Sequence, residues 1–242
     1  MTIEVKPLNA IYYNQSKVDI KDVIAPPYDV ISEKYRDKLY ERSLYNITRL
    51  ILSKAPNPYE DAAQSFEKWK NKEILIKSSK PVIFYLVQKY KHNGKEITRK
   101  GFIARNKIED FASKNILPHE FTMSGPKEDR LNLTKACKAN FSQIFMVYSD
   151  PQKQIENAVD LTVEPFIDVT DDNGVQNLVY LIDDEKTIEF IENVMKDKTL
   201  LIADGHHRYE TALNYRNFLG QNAQDANYVM GYFTNLDDDL LI

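Results

Sequence analysis

Two runs rich in β-branched and aromatic residues, Pro81 to Lys91 and Glu96 to Arg105, flank the tetrapeptide His92-Asn93-Gly94-Lys95. Asn-Gly supplies the positive φ angles of a tight hairpin turn, so the two runs are predicted to pair as antiparallel strands. Around this hairpin the periodicity alternates. A strand is predicted over Ile3 to Tyr13, then an Ala25-Pro26-Pro27-Tyr28-Asp29-Val30 corner that the paired prolines bar from helix, then a helix from Ser32 to Arg42. Asn57, Pro58 and Glu60 read as a helix start, with Ala62, Phe66 and Trp69 on one face and Trp69 in the core. Further helices are expected over 127–138, 152–159, 184–195 and 206–219, and strands over 143–148, 163–169, 175–182, 199–203 and 227–234. The fold class that follows is mixed α/β with a largely antiparallel sheet component.

No internal repeat, low-complexity tract or obvious linker divides the 242 residues. The expected organisation is an N-terminal α/β region over 1–110, carrying the hairpin 81–105, and a region over 111–242, with a single compact unit as the alternative. Asp237-Asp238-Asp239 followed by Leu240-Leu241-Ile242 makes a poor free end, which raises the expectation that the natural polypeptide continues.

Lys plus Arg number 32 against 36 Asp plus Glu, a net charge of -4, with no block of basic residues. A broad surface tracking nucleic-acid phosphates is therefore disfavoured, while a local basic pocket stays open. The single Cys137 excludes an intrachain disulfide framework and a cysteine zinc cluster, and a reducing cytoplasm is the expected compartment. The N-terminus has no signal-peptide apolar core, and no apolar run approaches the roughly 18 residues of a spanning helix, so no membrane partner is expected.

Three clusters can carry chemistry. Thr199 to Ala203 is an apolar strand, Asp204-Gly205 a sharp turn, and His206-His207-Arg208 the start of a helix. Glycine permits that strand-to-helix turn, and the unpaired N–H groups of a first helical turn attract anions. Gly205, His206, His207 and Arg208 are thus candidate phosphate or nucleotide ligands, with Asp204 at the cap. The plainer alternative is Asp204 as an ordinary N-cap beside surface residues.

The second cluster is Leu117-Pro118-His119-Glu120-Phe121-Thr122, followed by Lys127, Asp129 and Arg130. Glu120 can act as general base toward a hydroxyl, and Lys127 or Arg130 can clamp phosphoryl oxygens; a solvated loop with ordinary charge pairs is the competing reading. The third is the corner carrying Tyr28 and Asp29, a substrate-binding candidate or a structural turn. Asn46 and Arg49, in a strand-like run, belong to the same weak class. Neighbouring residues on a helix point about 100° apart, so His206 and His207 cannot both readily grip one ion, and a structural zinc site is disfavoured. Mg2+ held by phosphate with Asp204 and Glu120 fits better.

The Ala25 to Val30 block, His119-Glu120 with Thr122, Lys127, Asp129 and Arg130, and Ala203 to Arg208 closely resemble the signature blocks of a large prokaryotic family of unknown-function domains. Members of that family usually run on into a Leu-Pro-Thr-His-Arg-like stretch, which would follow Asp239. The Asp-Gly-His-His-Arg and Pro-His-Glu blocks are also similar to those of archaeal free-serine kinases with a ParB/sulfiredoxin-like fold. That resemblance implies a phosphate-binding core of this type with an additional N-terminal region. It implies Glu120 as the residue that activates the serine hydroxyl, and Asp204 to Arg208 as the holder of phosphate and Mg2+. Catalytic candidates are then Glu120, Asp204 and His206, with Tyr28, Asp29, His119 and Thr122 toward substrate. No cysteine stands near Asp204, which argues against sulfinic-acid reduction. No Walker-type or kinase-type glycine loop is present, so ADP, ATP and pyrophosphate are all open as donors. A non-catalytic nucleotide-binding switch of ParB-like type is the alternative.

Overall fold

The computed structural model describes residues 2–120 and 124–238, with the side chains of 124–127 excepted. Along the chain the strands are β1 (Val5–Lys6), β2 (Ile11–Tyr13), β3 (Leu75–Lys77), β4 (Ile83–His92), β5 (Lys95–Lys107) and β6 (Ile116–Leu117). They continue as β7 (Ile144–Tyr148), β8 (Ile167–Thr170), β9 (Gln176–Ile182), β10 (Leu200–Asp204) and β11 (Tyr228–Asn235). The helices are α1 (Ile20–Val23), α2 (Glu33–Arg42), α3 (Thr48–Ile51), α4 (Pro58–Asn71), α5 (Ser124–Cys137), α6 (Gln154–Ala158), α7 (Glu185–Met195) and α8 (His206–Leu219). Two compact units interleave along the chain, one of Met1–Asn9, Lys80–Lys127 and Gln143–Ile242, the other of Ala10–Ser79 and Glu128–Ser142, so no single sequence boundary separates them.

The first unit is built on a mixed nine-stranded sheet in the order β6-β10-β7-β11-β5-β4-β9-β8, with β1 added on β5. Its centre is the β4–β5 hairpin, turning at Asn93 (φ 49°) and Gly94 (φ 77°), both positive as the Asn-Gly pair requires. Among the described residues pairing is antiparallel except at β6 with β10 and at β7 with β11. Tyr85, Phe102, Met146, Ile202 and Phe233 on the sheet share one buried core with Ile155 of α6, Ile188, Ile191 and Met195 of α7, and Tyr209 of α8. Within that core Phe102 and Phe233 stack at 4.8 Å. Tyr209 ties α8 to the segment before β6: its hydroxyl donates to the Glu109 carbonyl at 2.8 Å and accepts the Glu109 N–H at 2.9 Å.

The second unit packs α4 and the β2–β3 ribbon around Leu50, Phe66, Trp69, Leu75, Leu133 and Cys137. Trp69 is core, as its helical spacing predicts, with the Tyr45 ring edge-on at 5.7 Å. Burial pushes the Cys137 thiol up to about 11, so at neutral pH it packs as an inert apolar group.

Three sequence expectations change. The strand expected over 3–13 is two short strands in separate units, broken around Pro7, which has no N–H to give a ladder. The turn of Tyr45 to Ile47 leads into α3, which takes up Thr48 to Leu50, so the run is not a strand. There Asn46 is fully buried, donating to the Asp22 and Ile24 carbonyls at 2.8 and 3.0 Å and accepting from Thr48 N and Oγ1, while Arg49 donates to the Ser43 and Tyr40 carbonyls. Both hold neighbouring backbone segments together. Asn57 sits at the start of α4 without a side-chain cap bond; Pro58 in the first turn sets the helix instead.

Candidate functional site at the carboxyl ends of β6 and β10

β6 and β10 run parallel, pairing Ile116 with Leu200 and Leu117 with Leu201. Parallel neighbours end at the same side of a sheet, so the residues after β6 and those closing β10 emerge together. The first strand delivers Pro118, His119 and Glu120, and the second delivers Asp204, Gly205 and the start of α8. The register of β10 against β7 shifts between Ile202 and Asp204, an irregularity that re-aims the chain just before the turn.

Gly205 makes that turn. Its φ is +92°, and a Cβ there would lie 3.0 Å from Arg208 Cζ, so both the backbone angle and the folded-back guanidinium require glycine. Sequence reasoning put Asp204 at the cap, but the junction's positive φ gives the N-cap position to Gly205, which has no side-chain cap bond. Asp204 instead pairs with Arg208, one turn on, and Arg208 also donates to the Gln143 carbonyl.

The contacts between the two strand ends are dense. His119 directs Nδ1 to the Ile202 carbonyl at 2.6 Å, so that nitrogen carries a proton, and in the neutral ring Nε2 holds the lone pair. The His119 backbone N–H donates to His206 Nε2 at 3.2 Å, and the two imidazoles meet edge to face at 4.5 Å. His206 is 1% exposed, and its Nδ1 lies 2.9 Å from Glu120 Oε1, close enough to pair charges but without hydrogen-bond alignment. Burial pushes the His206 imidazole below the ordinary histidine range, only partly offset by the carboxylates of Glu120 and Asp204. His119 and Glu120 are exposed, so the buried imidazole is approached through a carboxylate open to solvent.

Residues 5–242 match one protein family along nearly the whole chain. The chain belongs to DUF1015, described as a protein of unknown function. No curated protein and no solved structure matches it.

For this DUF1015 chain, Glu120, His119, His206, Asp204, Gly205 and Arg208 come together in one unit, with His207 half-buried in the first turn of α8. Tyr28, Asp29, Asp129 and Arg130 belong to the other unit. There the Arg130 guanidinium lies 4.3 Å over the Tyr28 ring and donates from Nε to Asp129 at 2.8 Å, and Tyr59 Oη donates to Asp129 at 2.9 Å. Asp29 is exposed in a short 3₁₀ turn, and the cap of α2 is Ser32. Thr122 and the side chain of Lys127 lie outside the described residues. Two acceptors that hold this candidate site together, the carbonyls of Ile202 and Gln143, have no sequence signal, because a main-chain oxygen has no residue signature.

Proposed function

We propose that this protein is a small-molecule phosphotransferase of the cytoplasm, acting on the hydroxyl of free serine with ADP, ATP or pyrophosphate as donor. The observation that carries the reading is the solvent-open Glu120 carboxylate held 2.9 Å from a buried imidazole at the start of α8. A base and an anion-attracting helix terminus lie there within one small substrate's length. Serine as acceptor, and a ParB/sulfiredoxin-like core around β6, β10 and α8, rest on the resemblance of the His119-Glu120 and Asp204 to Arg208 blocks to those of free-serine kinases.

In the proposed step the serine hydroxyl proton passes to Glu120, the serine oxygen bonds to the terminal phosphorus, and the bridging P–O bond breaks with its electrons on the leaving phosphate. The neutral His206 imidazole flanks Glu120, and the first turn of α8 presents positive potential to the transferring group. Asp204 is engaged by Arg208 and Glu120 serves as the base, so Mg2+ would be held mainly by the donor phosphates. Incubating the protein with serine, Mg2+ and each donor in turn, and assaying O-phosphoserine, tests the reading. Phosphoserine with at least one donor is expected, and none with any of the three refutes it.

A nucleotide-binding switch is the second reading, favoured by the Arg208 latch between Asp204 and the Gln143 carbonyl. A bound phosphate competing for that guanidinium would open the latch. Calorimetric nucleotide binding with no turnover of serine distinguishes it.

A further inference from the structure

We infer that His119, Glu120 and His206 form a binding site for a divalent transition-metal ion of the Zn2+ or Co2+ kind, and not for Mg2+. One potential ligand atom from each of the three residues lies within 4.8 Å of the others. The 2.9 Å between His206 Nδ1 and Glu120 Oε1 is close to the roughly 3 Å that separates two ligands of one such ion. His119 is oriented as metal-bound imidazoles usually are, with one ring N–H given to a backbone carbonyl, here that of Ile202, and the lone pair of the other nitrogen left for an ion. The independent pointer to a ligand is His206, 1% exposed, whose buried Nδ1 faces Glu120 and has no aligned hydrogen bond among the described residues. A buried polar atom without a partner is costly, and a metal bond would satisfy it.

Donor chemistry sets the class of ion. Two imidazole nitrogens and one carboxylate suit zinc, cobalt or their neighbours, whereas Mg2+ takes a shell of oxygens. Since His119 and Glu120 are exposed, three protein ligands leave coordination positions open to solvent or substrate. Asp204 is outside the group and pairs with Arg208. Binding breaks one contact: the His119 amide donates to His206 Nε2, which keeps the neutral ring's proton on Nδ1. An ion at Nδ1 moves that proton to Nε2, and the His119 amide must turn away. The inference stands on these contacts and not on the proposed reaction; a Glu120 bound through one oxygen keeps the other for a proton.

The test is calorimetric titration of the chelator-treated full chain with ZnCl2, CoCl2 and MgCl2. Expected are one Zn2+ or Co2+ per chain, visible Co2+ bands, and no Mg2+ binding in the same concentration range. His119→Ala and Glu120→Ala should each weaken Zn2+ binding by about tenfold or more with an unchanged circular-dichroism spectrum. The ring-nitrogen shifts of His206 should report the proton moving from Nδ1 to Nε2. Failure to bind Zn2+ stoichiometrically, binding untouched by both substitutions, or Mg2+ bound as tightly as Zn2+ would each overturn the site. Phosphoserine formed with Mg2+ but no Zn2+ binding overturns the metal site alone; stoichiometric Zn2+ with no product under either metal overturns the phosphotransfer reading alone.

Discussion

The sheet of the first unit contains two parallel pairs, and their carboxyl ends carry opposite kinds of polar chemistry. After β7 and β11, Asp150 is fully buried and its carboxylate accepts Gln154 N at 2.7 Å, Gln154 Nε2 at 2.9 Å and Lys198 Nζ at 3.2 Å. Asn235 closes the same end, accepting the Asp150 N–H at 2.9 Å and donating to its carbonyl at 2.8 Å. After β6 and β10, a buried imidazole nitrogen is left without a hydrogen bond beside an exposed carboxylate. Burial works against the charged form at both ends. At Asp150 it is outweighed by the hydrogen bonds of Gln154 and Lys198, and the carboxyl falls below its usual range, whereas at His206 burial wins. A charge whose partners are all supplied by the fold stabilises the fold, and a group left without a hydrogen bond is available to something else.

The contrast predicts a large stability effect at one end. Asp150→Ala leaves Lys198 and two Gln154 donors without their acceptor and should cost about 3–5 kcal/mol in urea unfolding. The pH dependence follows from the sign of the shift. Asp150 is held below its unfolded value, so its contribution is complete above the ordinary carboxylate range and is lost as pH falls through the folded value. The variant should lack that acid limb. A loss under about 1 kcal/mol would mean that the two ends do not differ as described.

Gly205→Ala should cost about 1–3 kcal/mol, because alanine is strained at φ +92° and its Cβ meets the Arg208 guanidinium. Its unfolding midpoint measures this, and a neutral substitution would mean that the turn adapts freely. The smallest effect is expected at Glu156 on α6, whose carboxyl is raised by burial, only partly offset by its own N–H and the Asn235 amide, and whose buried Oε2 has no hydrogen bond among the described residues. The sign is opposite to that of Asp150: ionisation penalises the folded state as pH rises above the ordinary carboxylate value. Glu156→Gln should leave stability unchanged near pH 4 and raise it at pH 7 by about 0.5 kcal/mol or less. A variant less stable at pH 7 would show that those hydrogen bonds outweigh the cost of burial.

Local signals told truly where the physics is local. Asn93-Gly94 specifies its turn, Ser32 and Asp184 cap α2 and α7 by accepting the Tyr35 and Thr187 amides, and the apolar run before Asp204 ends in the strand-to-helix junction. The candidate residues around Glu120 and Asp204 were legible because each block is short and chemically dense. The Asp150 network was not, since its partners Lys198 and Asn235 are 48 and 85 residues away and each alone reads as an ordinary polar residue. The missed α3 has a related cause. Ile47 and Leu50 suggest a strand, but the Asn46 side chain binds carbonyls of α1 and the residue after it, a tertiary preference that overrides local pattern.

The central claim is that the carboxyl ends of β6 and β10 do chemistry through Glu120, and one paired assay tests it most directly. Phosphoserine formation from serine is measured for the wild-type chain and Glu120→Gln at matched thermal stability. The account predicts product from the wild type and turnover roughly 10²-fold slower or worse in the variant, the scale of losing a positioned general base, with the unfolding temperature unmoved. Equal turnover in the two proteins, or no product from the wild type with ADP, ATP or pyrophosphate, would contradict it.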